Sequence, residues 1–133
     1  MGVGHLIQEK ASLLFIMLKP KILLHVEGAA VLVFSVVLFN QWPGHWGWFA
    51  LLFLTPDFFM LGYLAGKSAG AAAYNLGHTY TTPLLLAGIL WWLGQAGWLW
   101  LPVIWAAHIG FDRLLGYGLK YETDFKDTHL HKV

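Results

Sequence analysis

"WAAHIGFDR", residues 105–113, is the stretch on which the reading of this chain turns. It sits inside "GWLWLPVIWAAHIGFDRLLGYGL", residues 97–119, which is otherwise almost wholly apolar. A histidine, an aspartate and an arginine on a soluble helix need no explanation. At membrane depth each ionisable side chain costs about 2.5–3.5 kcal/mol on insertion scales. Composition decides for lipid: the chain is 58% hydrophobic and 11% charged, where soluble domains run near 45–50% and about 25%. Its 133 residues limit it to one domain. It has no cysteine, which excludes disulfides, thiolate metal ligands and cysteine nucleophiles. A net charge of +1 with no basic cluster speaks against a nucleic-acid partner.

Outward from this stretch, four apolar segments are long enough to span a bilayer core, which takes about 20 residues. They cover residues 22–40, 46–65, 69–93 and 98–119. The breaks "NQWPGH", "GKSAG" and "GQAG" are short and turn-like, so neighbouring helices must run antiparallel. The expectation is an all-α integral membrane fold: a four-transmembrane-helix up-down bundle over residues 21–120. The eight basic residues support this count. With four spans, Lys10, Lys19, Lys21, Lys67, Arg113, Lys120, Lys126 and Lys132 all lie on or toward one side. That side is cytoplasmic by the positive-inside rule, so both termini are expected inside, in a multi-pass protein of the bacterial inner membrane. Seven tryptophans, Trp42, Trp46, Trp48, Trp91, Trp92, Trp98 and Trp100, gather at the other ends as an interfacial belt would.

Residues 1–20 read as an amphipathic interfacial helix, with Leu6, Ile7, Leu13, Leu14, Met17 and Leu18 near one face. "KPK" follows where a signal peptide would carry a small-residue cleavage site. Residues 121–133 form a polar cytoplasmic tail. Tyr121, Phe125 and Leu130 give it apolar groups with which to fold back on the bundle. Asp124, Asp127 and His129 could then cap the polar residues from below.

Those polar residues come from every span: His25 and Glu27; Asp57, after Thr55 and Pro56; Asn75, His78 and Thr79; His108, Asp112 and Arg113. At 1.5 Å per residue from the nearest inner lysine, Glu27 lies about 9 Å deep, Asn75 and Asp112 about 12 Å, Asp57 and His78 about 15 Å, and His108 about 18 Å. One layer can hold them all. Asn75 and His78 are three apart, and His108 and Asp112 four apart, so each pair shares a helical face. Arg113 is about 100° from that face and is expected to snorkel to the headgroups or to pair with a carboxylate on another helix. "GKSAGAAAYNLGH" and Gly110, Gly116 and Gly118 allow close helix approach. Pro56 and Pro83 each free a backbone carbonyl that needs a partner inside the protein.

The blocks "TPDFFMLGYLAG", "AYNLGHTYTTPL", "AAHIGFDRLLGYGLKY" and "FKDTHL", in this order, resemble a small bacterial membrane family catalogued as domain of unknown function 4260. The resemblance covers roughly residues 22–130. It implies a four-helix membrane protein and carries no activity with it.

Function must therefore come from the residues. His and carboxylate side chains from different helices, two of them at i, i+4, are how a bundle builds a metal site. Candidate ligands are Glu27, Asp57, His78, His108 and Asp112, with Asp127 and His129 as additions; Asn75, Arg113 and Asp124 are supporting residues. Without thiolates, one zinc, iron or manganese ion fits. The Glu-x-x-His pattern of di-iron bundles is missing, which argues for a single ion. Such an enzyme would act on a lipid-like substrate, with catalysis at Asp57, His78, His108 and Asp112. A second reading is a metal-free acid–base or proton-relay site serving an isomerase or transport, where a chain this small would work as a homodimer. A third is structural: satisfied pairs such as His108–Asp112 and Asp57–Arg113 in an accessory subunit of a larger membrane complex. Bis-histidine haem at His78 and His108 is disfavoured by the acidic residues on the same faces.

Overall fold

The computed structural model describes residues 2–133. It is all-α, with six α-helices: α1 (Val3–Met17), α2 (Pro20–Phe39), α3 (Trp46–Leu52), α4 (Lys67–His78), α5 (Thr81–Trp92) and α6 (Trp100–Leu115). No strand is present among the described residues; a single antiparallel bridge joins Lys120 and Thr128. Two helices are long and apolar enough to cross a membrane. One is α2; the other is the continuous rod Pro43–Ala65 that contains α3. α5 is a shorter apolar helix.

Two prolines decide where the site can form. Pro56 has no N–H to give the Leu52 carbonyl, and α3 stops at Leu52. The Thr55 hydroxyl donates to that carbonyl instead, at 2.6 Å. The chain continues as a 3₁₀ helix, Thr55–Ala65, opened by the Asp57 N–H donating to Leu54 O at 3.1 Å. Eleven residues is long for this geometry, which rarely runs beyond three or four. Pro83 acts one turn further back. Its ring opposes the carbonyl of Thr79, and Thr79 turns extended, at φ −97° and ψ 139°. The expected continuous span 69–93 is therefore two helices, α4 and α5. The last helix also stops early: Gly116 adopts the left-handed conformation (φ 94°) and ends α6 at Leu115 rather than at residue 119.

The helices pack mainly in two pairs, α2 along α6 and the 3₁₀ helix along α4. The first pair crosses where two glycines meet. A Cβ on Gly28 would lie 2.4 Å from the Arg113 Cβ, and one on Gly110 2.7 Å from the Gly28 carbonyl. An aromatic core closes one end of the molecule. Phe39 is fully buried beside Trp100 and Ile104, with the Trp46 and Phe49 rings edge-on to it at 4.8 and 5.0 Å. α1 is helical as expected, and none of its residues is buried.

Candidate metal centre

Where the two helix pairs meet, four side chains converge. Asp57 comes from the 3₁₀ helix, His78 from the last turn of α4, and His108 and Asp112 from one face of α6. His78 Nε2 lies 3.1 Å from Asp57 Oδ1, 3.3 Å from His108 Nε2 and 3.5 Å from Asp112 Oδ2. His108 Nε2 lies 3.3 Å from both Asp57 Oδ1 and Asp112 Oδ2. All four atoms fall within 4.8 Å of one another. Five of the six edges of a tetrahedron are thus nearly equal. A tetrahedral ion with bonds of about 2.0–2.1 Å needs ligand atoms about 3.3–3.4 Å apart, which is the spacing found.

The site is also oriented for coordination. His78 Nδ1 bonds the Tyr74 carbonyl at 2.8 Å. A carbonyl only accepts, so Nδ1 carries a proton and Nε2 is the atom turned to the other three groups, a ligand in the neutral imidazole and a donor to Asp57 in the imidazolium. The Tyr74 ring stacks on the His78 ring at 3.7 Å, nearly parallel at 7°, which fixes the imidazole plane. Phe53 packs edge-on to His108 at 5.5 Å. Burial is uneven: the His78 and His108 side chains are 0% and 1% exposed and Asp112 12%, but Asp57 is 36% exposed. Asp57 is the open wall.

The surroundings of His78 follow from the break that ends α4. A helix leaves its last carbonyls unpaired. Here Tyr74 O is taken by His78 Nδ1, Leu76 O by the Thr82 hydroxyl at 2.5 Å, Gly77 O by Trp105 Nε1 at 2.7 Å, and His78 O by Arg113 Nη2 at 2.7 Å. Arg113 also donates to Tyr117 O at 2.6 Å. It is buried and reaches no carboxylate, neither snorkelling nor forming the expected pair with Asp57. Its distance around α6 from His108 and Asp112 carries it to backbone carbonyls instead.

Other candidates stand apart from the four. Glu27 is exposed on α2, one residue off the buried stripe of Gly28, Ser35 and Phe39. Asn75 turns from His78 to the tail: its Nδ2 donates to Lys120 O at 2.8 Å, and Lys120 N–H donates to its Oδ1 at 2.6 Å. In the tail, Leu130 is fully buried and the Phe125 ring packs edge-on to Tyr63 at 5.3 Å. The tail's acidic residues do not reach the polar cluster, however. Asp127 accepts from the Thr123 hydroxyl and pairs with Lys132 at 3.3 Å. Asp124 is exposed and caps Asp127 N–H through its backbone carbonyl at 3.1 Å. His129 Nδ1 accepts from Leu119 N–H at 2.8 Å. Sequence reasoning gave no role to His25, whose Nδ1 donates to Leu114 O at 2.9 Å and so caps α6. It also missed Lys120, whose buried amine lies 3.9 Å from the Phe125 ring centre and 4.9 Å from that of Tyr74. A cavity of about 820 Å³ lies on the opposite face of α6, lined by apolar side chains such as Phe34, Pro83 and Pro102, and holds none of the four.

A family model described as a domain of unknown function, DUF4260, matches residues 21–133. No curated protein and no solved structure matches the chain.

Proposed function

The chain belongs to the domain of unknown function 4260 family, and from its own geometry we propose that it is a membrane metalloprotein. Asp57, His78, His108 and Asp112 hold one divalent transition metal, and the metal serves an enzyme acting on a lipid-like substrate. The observation that carries the metal is the set of five near-equal edges between 3.1 and 3.5 Å. A proton relay needs a donor aimed along one line at one acceptor. A register-locking ion pair needs one acid and one base. Neither calls for four ligand atoms around a common centre. The donor set is borderline-hard and tetrahedral, which suits zinc best and iron or manganese next. Four protein ligands fill a tetrahedral shell, so catalysis at the metal would require the exposed Asp57 to yield its place or a fifth ligand to enter beside it. A bound metal would polarise a substrate oxygen or lower the pKa of a water.

The membrane reading draws its support from burial. A soluble core helix is mostly buried, whereas only 17% of the apolar window in α2 and 6% of that in Pro43–Ala65 is buried. Leu51, Leu54, Phe58, Leu61 and Leu64 are between 62% and 87% exposed along that rod, a surface matched to hydrocarbon. We place four passes in the bilayer of the bacterial inner membrane, the third made of α4 and α5 around their break. Both termini are cytoplasmic by the one-sided lysines, and α1 lies in the interface.

Protein purified in detergent without chelator should carry one metal per chain by elemental analysis. Cobalt substitution should give the visible absorption of a four-coordinate ion. His108→Ala and Asp112→Ala should each lose the metal, and His129→Ala should keep it. A metal-free protein, or stoichiometric metal retained in His108→Ala, overturns the proposal.

A further inference from the structure

The open wall also says from which phase the substrate arrives. His78 and His108 are sealed and Asp112 nearly so, leaving Asp57 as the way in. The 3₁₀ helix repeats every three residues, so Leu54 and Met60 flank Asp57 on its own face. Leu54 is 62% exposed, and the neighbouring Phe58 and Leu61 are 69% and 63% exposed. Between Phe49 and Tyr63, Thr55 and Asp57 are the only polar side chains, and the Thr55 hydroxyl is spent on Leu52 O. The rod itself therefore offers no hydrophilic path to the wall.

Its depth sharpens the point. With α-helical rise to Leu52 and about 2 Å per residue beyond, Asp57 lies roughly 20 Å from Trp46 and about 18 Å from Gly66. It is near the middle of the rod, far from either set of lipid headgroups if the rod spans the bilayer.

Resting on the metal and membrane readings above, we infer that the metal is reached sideways from the bilayer core. Its substrate is a lipid whose reacting oxygen or double bond lies within the hydrocarbon, not in a headgroup. A phospholipid phosphate or glycerol ester would sit too far out to meet the Asp57 wall. An isoprenoid ring carbonyl or a functionalised mid-chain position is at the right depth. Leu54, Phe58 and Leu61 then form the surface along which the rest of the molecule lies.

The test uses cobalt-loaded full-length protein in phosphatidylcholine vesicles, with chelator equilibrated on both sides. 1,10-Phenanthroline, which partitions into bilayers, should bleach the cobalt absorption at least tenfold faster than EDTA at equal concentration. Leu54→Trp, which narrows the wall without touching a ligand, should slow phenanthroline and leave EDTA unchanged. Equal rates for the two chelators would overturn lateral access while leaving the metal site standing. A protein that takes up no cobalt at all would overturn the metal reading itself, and lateral access with it.

Discussion

His78 is the residue on which most of the local structure bears. Its Nδ1 is committed to Tyr74 O, its ring is held against the Tyr74 ring, and its own carbonyl is held by Arg113. Groups that orient a metal ligand are usually worth about 10–100-fold in metal affinity. Tyr74→Leu keeps the backbone carbonyl and removes the stack, so cobalt affinity should fall by about tenfold while the chain still folds, as read by titration against a competing dye. Affinity unchanged in that variant would mean the carbonyl alone fixes the ring. Asp57→Asn should weaken binding less than Asp112→Asn, because Asp57 is the more exposed and so the less tightly packed of the two.

At the scale of the element, the Gly28–Gly110 crossing sets how closely α2 and α6 approach. Gly28→Ala puts a methyl group 2.4 Å from the Arg113 Cβ and 2.8 Å from the Gly110 carbonyl. Neither is the end of a flexible side chain, so the helices must separate. The expected cost is about 1–3 kcal/mol, with a secondary loss of metal as His108 and Asp112 shift with α6. Gly88 on α5 has nothing within 4 Å of its would-be Cβ. Gly88→Ala should therefore stabilise by about 0.5–1 kcal/mol. Thermal unfolding in detergent compares the two.

The elements also explain what could be read from the sequence. His108 and Asp112 sit on one face because four residues nearly complete a turn, and ionisable groups in apolar segments have to find one another. Those two facts pick out Asp57, His78, His108 and Asp112, but also Glu27, which the cluster leaves out. Asn75 shows the limit of such spacing. Three residues leave it about 60° from His78, enough to face the tail backbone rather than the centre. Glu27 fails for a similar reason: its depth suits the layer, but it lies one residue off the stripe α2 buries. Pro83 was legible as freeing a carbonyl, but Gly77 O and His78 O lie six and five residues before it, and their partners come from α6. No local pattern in the sequence ties Arg113 to the end of α4.

Across the whole molecule, the docked tail joins the centre to the solution. His129 accepts a hydrogen bond from Leu119 through Nδ1 and so must be neutral there. Burial, with the Arg113 charge adding to it, lowers its pKa below the ordinary histidine value. A histidine whose pKa is depressed on docking contributes its full stability above the undocked value, near 6.5. That stability is lost as the pH falls through the docked value. Tail amides should thus be strongly protected at pH 7.5 and lose that protection at pH 5, each measured against the exchange rate of an unstructured chain at the same pH. His129→Asn, which keeps an acceptor, should stay protected at both. Protection at pH 5 in the unaltered protein would show that Asn75 and Leu130 hold the tail without His129. Lys120 and Asn75 lie on the same path inward: the amine near the Tyr74 ring, and that ring on His78.

The capped end of α4 has a consequence for how the protein is made. Gly77 O and His78 O wait for Trp105 and Arg113, which are synthesised 28 and 35 residues later. At about 5–20 residues per second, that is a delay of roughly 2–7 s. During this interval the nascent chain holds Asp57 and His78 but neither His108 nor Asp112. A metal held by the four as proposed above can be captured only once α6 has been delivered, and a chain arrested before Trp105 would carry an open helix end and half of the cluster.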